Sequence, residues 1–159
     1  MGGIVSRQKD RATLERMVMG KDLPVSSEEL VALRHAVGWP AKGNYVQIIQ
    51  EYLFHISARW NGRLVGFLPV VGSPHGDLLI HSLCVHPDVQ GQGVGTRLME
   101  IALEACRDLN PQGVNVLFGE NDRPFFEKFG FRVMSGGYMD SESLKAPNVR
   151  SKAKNRLSR

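Results

Sequence analysis

The chain has 159 residues, 42% hydrophobic and 23% charged, a length that suits one domain able to bury its own core. It has no apolar run of the roughly 18 residues that a membrane span needs and no signal-peptide pattern, which excludes a spanning membrane protein and predicts a soluble, cytoplasmic one. The net charge of +4 is a property of the end of the chain: all 16 acidic residues stand at or before Glu142, and Lys145, Arg150, Lys152, Lys154, Arg156 and Arg159 follow it, so the body carries 14 basic against 16 acidic residues.

In chain order, Met1-Gly2-Gly3-Ile4-Val5-Ser6 with Arg7, Lys9 and Arg11 after it satisfies the N-myristoylation pattern, and a membrane partner is expected only if Gly2 is acylated. The plainer reading is an ordinary flexible terminus. Ala12 to Met19 reads as a first strand. Ser26-Ser27-Glu28-Glu29 is a capping box opening a helix over Ser27 to Val37, which Gly38 ends. A second helix spans about 41–50. The runs Leu53 to Trp60 and Arg63 to Val71 form a hairpin around Asn61-Gly62, a pair suited to the positive φ angles of a tight turn. Asp77 to Val85 is apolar and reads as one central strand stopped by Pro87, which cannot donate to a sheet ladder. Beyond it, Leu98, Ile101, Ala102, Ala105 and Leu109 recur at helical spacing over Thr96 to Leu109. A strand at Val114 to Phe118, a short helix at Pro124 to Lys128 and terminal strands at Phe131 to Met134 and Tyr138 to Asp140 complete the elements. No internal repeat or second domain stands out, so residues 1–143 are expected to form one domain. Residues 144–159 should be a flexible basic tail, and it has no aromatic residue on which bases could stack, so no nucleic acid is expected.

The turn Gln90-Gly91-Gln92-Gly93-Val94-Gly95 delivers the chain from that central strand into a helix N-terminus. Backbone N–H groups and the positive helix end point there, and glycines let an anion approach the main chain. A phosphate loop of the Gly-Lys-Ser/Thr kind is absent. A dinucleotide turn would need a sixth-position glycine, where Thr96 stands, and a carboxylate about 20 residues on, where Asn110-Pro111-Gln112-Gly113 has none. Cys84 and Cys106 lack metal-ligand spacing and suggest neither a disulfide scaffold nor a metal. With no Cys-His-Asn pattern around it, Cys84 reads as a packed thiol rather than a nucleophile.

What fits is a family motif. Gln90-x-x-Gly93-x-Gly95 after Val85-His86-Pro87 resembles the acyl-CoA pyrophosphate loop of the GNAT N-acetyltransferase superfamily. Asn121 followed by Phe125-Phe126-Glu127-Lys128-Phe129-Gly130-Phe131 is similar to its second CoA motif. The resemblance implies an α/β (α+β) fold, a single domain with a mixed twisted sheet flanked by helices, and acetyl-CoA as co-substrate without a metal. It places Leu83, Cys84, Val85, Gln90, Gly91, Gln92, Gly93, Val94, Gly95, Thr96, Asn121, Phe125 and Phe126 on the cofactor.

The implied chemistry is acetyl transfer to a primary amine, whose proton must go to a base because alkylamine pKa values lie near 10.4. The resemblance puts that base, or a residue that positions it, at His81, which reads equally as a hydrogen-bonded strand histidine, with His86 and His75 as weaker candidates. Alternating side chains would put His81, Leu83 and Val85 on one strand face. The backbone N–H of Val85 would take the thioester carbonyl. The second motif often carries a tyrosine that protonates the leaving sulfur, but Phe126 stands there, so Tyr138 or a water would have to substitute. Trp39, Tyr45 and Tyr52 are candidates for acceptor contact, although such aromatics more often belong to the core. The acceptor is expected to be a small molecule. Protein lysine or N-terminal acetylation, and a catalytically weak acyl-CoA-binding regulatory module, are the alternatives, and a homodimer is left open.

Overall fold

A computed structural model describes residues 14–137 together with 139 and 144. The N-terminal acylation pattern, Tyr138, Asp140 and the basic tail from Lys145 lie outside the described residues. The elements run β1 (Met17–Lys21), α1 (Ser27–Ala36), α2 (Tyr45–Glu51), β2 (Phe54–Trp60), β3 (Arg63–Gly72), β4 (Asp77–Ile80), β5 (Cys84–Val85), α3 (Val94–Leu109), β6 (Gly113–Val116) and α4 (Arg123–Glu127). The six strands form one mixed sheet in the order β1-β2-β3-β4-β6, with β5 pairing β3 beyond the end of β4. Among the described residues only the β4–β6 pairing is parallel. This is the mixed α/β sheet with flanking helices that the motifs imply. The chain divides into two compact units, one up to Arg123 and one from Pro124.

Local chemistry builds the first unit. Asn61 and Gly62 both adopt positive φ, 50° and 79°, and so join β2 to β3 tightly. Ser26 and Glu29 complete the capping box of α1. Glu29 also takes a forked bond from Arg59, at 2.6 and 2.8 Å, and that guanidinium holds the carboxyl down to about pKa 2. Arg59 further donates to the carbonyls of Pro24 and Gly62, tying the start of α1 to the β2–β3 turn.

Residues opposite one another in an antiparallel ladder share a face, so the register sorts the sheet. Phe54, Ile56 and Ala58 pair with Val70, Leu68 and Gly66, and Ile80 pairs with Val70. Apart from Phe54 this face is aliphatic, and it packs on α3 through Val94, Leu98, Met99 and Ala102, all buried. His55 and Ser57 pair with Pro69 and Phe67 on the other face, where Phe67 and Cys84 join Leu30, Leu33 and Tyr45 of α1 and α2.

The central strand is not continuous. Ile80 pairs with Val70 and Cys84 with Phe67, so four steps on this strand face three on β3. The extra residue makes a β-bulge at His81-Ser82-Leu83, with Ser82 at φ 52°, and a bulge flips every side chain beyond it. The expected common face of His81, Leu83 and Val85 is therefore wrong. His81, whose N–H meets the Pro69 carbonyl at 3.4 Å, shares the α1–α2 face with Cys84. Val85 pairs with Gly66 on the α3 face.

Other departures are smaller. The first strand starts at Met17 because Leu14 and Glu15 are helical, and α2 starts at Tyr45 because Asn44 caps it. Strand β6 stops at Val116, and Phe131 to Met134 form no strand. Val133 and Met134 are exposed, and an apolar run without a ladder partner stays irregular.

Candidate active site

The bulge ends in a strand with one edge open. His86 N–H donates to the Val65 carbonyl at 2.7 Å. Hydrogen-bonded and non-bonded pairs alternate along an antiparallel ladder, so the Val85–Gly66 pair is non-bonded and both polar groups of Val85 point away from β3. On that side β6 accompanies the sheet only as far as Ile80↔Val116. Among the described residues, no strand lies beside β5 there. The Val85 carbonyl accepts from Gln90 Nε2 at 2.8 Å, which fastens the glycine loop to the strand. The Val85 N–H points the same way, with no ladder partner among the described residues.

The loop begins with a 3-10 turn at Pro87–Val89, capped by His86, whose Nδ1 accepts from the Asp88 N–H. Gly91 and Gly93 follow at φ 73° and 83°, a region that costs side-chain-bearing residues about 1 kcal/mol or more. Gly93 is the N-cap of α3, no side chain caps that helix and its first turn holds no acidic residue. Space around the Cβ position of Gly91 is open, and at Gly93 only Leu14 comes within 4 Å. Gln92 Nε2 reaches the Asp88 carbonyl at 3.2 Å. An anion docked here would meet bare main chain at the positive end of a helix of 16 residues, with a donor aimed from Val85 for a carbonyl farther along.

The acetyltransferase (GNAT) domain family matches residues 26–142. The chain belongs to the GNAT acetyltransferase family. No curated protein matches it in sequence. Among solved structures it is similar to a GNAT-family acetyltransferase from Streptococcus pneumoniae, with 24% identity, 79% of this chain and 98% of that one covered, and a TM-score of 0.66. Glucosamine-6-phosphate N-acetyltransferase from Arabidopsis thaliana shares 14% identity, with 78% and 97% covered at TM-score 0.65. Ribosomal-protein-alanine N-acetyltransferase from Brucella melitensis also shares 14%, with 78% and 97% covered at TM-score 0.62. These likenesses carry the fold.

The GNAT family works with acetyl-CoA, and the loop fits that cofactor: a side-chain-free helix cap, two left-handed glycines and the outward Val85 N–H match a pyrophosphate and a thioester. Of the residues expected on the cofactor, Leu83, Cys84, Val85 and Gln90 through Thr96 lie on one continuous path from bulge to helix. Asn121 sits in an exposed 3-10 turn, Glu120–Asp122, of the same unit. Phe125 and Phe126 belong to the second unit, where Phe126 is buried with its ring edge-on to Phe125 at 5.0 Å and to Phe131 at 6.3 Å.

On the α1–α2 face, His81 Nδ1 lies 3.0 Å from Ser82 Oγ, and its ring meets that of Tyr52 edge-on at 6.0 Å. Burial, and then the charge of Arg34, lower its pKa from the ordinary 6.5, so the ring is neutral at pH 7. Burial pushes the Cys84 thiol up to about 12, which removes it as a nucleophile near neutrality. Tyr45 is buried and belongs to the core, Tyr52 is half-buried against Phe67, and Trp39 is at the surface. His86 lies beside Arg63 and Asp88 in a shallow cavity of about 340 Å³ with Glu29 and Leu64.

Arg34 was not visible as a site residue in the sequence. A basic residue in the last turn of a helix is what the helix dipole favours anyway, and nothing local marks it as facing His81.

Proposed function

We propose that this chain transfers the acetyl group of acetyl-CoA to a primary amine of a small molecule. The observation that carries the reading is the outward N–H of Val85 at the open edge of β5, tied through Gln90 to a glycine-capped helix N-terminus. When bound, the cofactor supplies a thioester carbonyl open to attack. The chain's own groups do the rest. Main-chain N–H groups at Gly93 to Gly95 hold the pyrophosphate, and the Val85 N–H donates to the carbonyl oxygen as negative charge grows on it. Neutral His81 takes the amine proton, directly or through water, from the α1–α2 face.

A small acceptor suits this face better than a protein segment, because α1, the turn after it and α2 already cover it with Tyr45 and Tyr52. Phe126 has no proton for the leaving sulfur. A thiol with a pKa of about 8.5 departs tolerably as thiolate, so transfer does not require one. Phe126 nevertheless favours a second reading, a weakly catalytic acyl-CoA-binding module, since general acids contribute roughly 10²- to 10⁴-fold. The test is acetyl-CoA turnover against polyamines, arylalkylamines, amino acids, aminoglycosides and peptides. Release of CoA with one small-amine class supports the enzyme. Tight acetyl-CoA binding with no turnover on any acceptor supports the module, and preference for peptides refutes the small-molecule acceptor.

A further inference from the structure

Among the described residues, the α1–α2 face holds a cation with no counter-ion. Arg34, half-buried in the last turn of α1, donates from Nε and Nη2 to the Pro40 carbonyl at 3.3 and 3.1 Å. Its guanidinium lies 5.4 Å from the Trp39 ring centre and 5.6 Å from that of Tyr45. Among the described residues no carboxylate pairs with it, and Glu29, on the same helix, is taken by Arg59. One neutral carbonyl and two ring faces thus hold the charge, leaving the Nη1 edge of the fork unused.

The surroundings connect this cation to the candidate base. Tyr45 packs in one cluster with Phe67, Cys84 and Tyr52, and Tyr52 meets the ring of His81. The field of Arg34 is felt at Tyr52, His81 and Cys84 alike. A cationic amine entering beside His81 is therefore repelled by Arg34, unless it carries an anion of its own.

We propose that Arg34 is the docking group for a carboxylate on the acceptor, so that the substrate class is amines bearing an acid group, such as amino acids. This rests on the reading of the chain as an amine acetyltransferase. A planar guanidinium end matches a planar carboxylate in two parallel bonds. A single unpaired cation balances one carboxylate, whereas a phosphate dianion would call for a second. The carboxylate on Arg34 fixes one end of the acceptor, and its amine is then directed across the aromatic cluster toward His81.

The experiment uses the full chain and matched acceptor pairs, each an amino acid and the amine left when its carboxylate is removed. The wild type should favour the acid-bearing member in kcat/KM by about 10- to 100-fold, the range of a charge-assisted bond, mainly through KM. Arg34→Gln should shrink that preference toward unity, and Arg34→Lys, which keeps charge but not the fork, should restore part of it. Because Arg34 also holds the turn at Pro40, the wild type gives a second readout that needs no variant: the acceptor's deaminated carboxylic acid should inhibit competitively with the amine. Turnover of amines without preference for the acid, or an equal loss for both members in Arg34→Gln, overturns the proposal alone. So does a clear preference for phosphorylated amines. Absence of turnover with every acceptor overturns the enzymatic reading and this proposal with it.

Discussion

The two faces of the sheet are built from different chemistry. Toward α3 the strands present Phe54, Ile56, Ala58, Leu68, Val70, Leu78 and Ile80, aliphatic but for one ring and all buried. Toward α1 and α2 the same strands present His55, Ser57, Phe67, His81 and Cys84. His55 stacks on Phe67 at 4.9 Å and meets the Leu23 carbonyl at 3.0 Å, while Ser57 Oγ is buried without a partner among the described residues. An interior made only for stability would not place buried polar atoms on one side alone, since each costs free energy unless it is bonded. The dry face holds the fold, and the polar face, with the strand edge between them, is where the proposed function puts the chemistry.

The largest effect expected from breaking this contrast is on the dry face. Leu98 is fully buried, and its Cδ1 would lie 2.8 Å from a Cβ added at Gly66, so it fills the space that the missing side chain leaves. Leu98→Ala should cost about 2–5 kcal/mol of stability, read from the midpoint of urea unfolding. A loss under about 1 kcal/mol would mean that the α3 face is looser than its packing implies.

Next comes the first turn of α3, where the dry helix ends at the glycine loop. Acetyl-CoA should stabilise the protein by about 2.7 kcal/mol at 100 times its dissociation constant. Gly93→Asp puts a side chain at φ 83° and a negative charge where a phosphate would bind, so the variant's melting temperature should no longer rise with CoA. A normal rise in the variant would show that the cofactor binds elsewhere.

On the polar face, His81→Gln should lower turnover at neutral pH by about 10² or less, with acetyl-CoA binding nearly unchanged. The sign of the pH effect follows from the lowered pKa of His81. A base must be neutral, so activity is full above the folded pKa and is lost as pH falls through it, putting the acidic limb below the ordinary value of about 6.5. Stability shifts in the same sense. The unfolded chain binds this proton more readily, so the fold weakens as pH drops below about 6.5, and His81→Gln removes that contribution. A variant with wild-type rate and profile would move the base elsewhere.

Why the sequence shows one face better than the other is a matter of range. The Ser26–Glu29 capping box, the Asn61-Gly62 turn and the loop from Gln90 to Gly95 depend on neighbours in the chain, so residue type and spacing specify them. The bulge does not. Asp77 to Val85 has the same apolar pattern with or without an extra residue, and only the pairing with β3 shows that Ser82 is surplus and that His81 and Val85 part company. Arg34 is hidden for a similar reason, because its place over Tyr45 is decided by how α1 and α2 pack on Phe67. The strand expected at Phe131 to Met134 fails because apolarity alone does not supply a ladder partner.

The smallest effect expected is the most direct comparison of the faces. Ser57 is fully buried, as Leu98 is, but it sits opposite Phe67 on the polar side. Truncating Leu98 removes packed atoms, whereas Ser57→Ala removes an oxygen with no partner among the described residues. Deleting an unsatisfied buried hydroxyl removes its desolvation cost and leaves a hole smaller than a methyl group. The variant should therefore be unchanged or more stable by up to about 1 kcal/mol, checked by urea unfolding beside Leu98→Ala. If acetyl-CoA turnover also stays at the wild-type level, the hydroxyl takes no part in the chemistry of its face. A stability loss above about 1 kcal/mol would show instead that Ser57 is bonded, and that the polar face is as fully satisfied as the dry one.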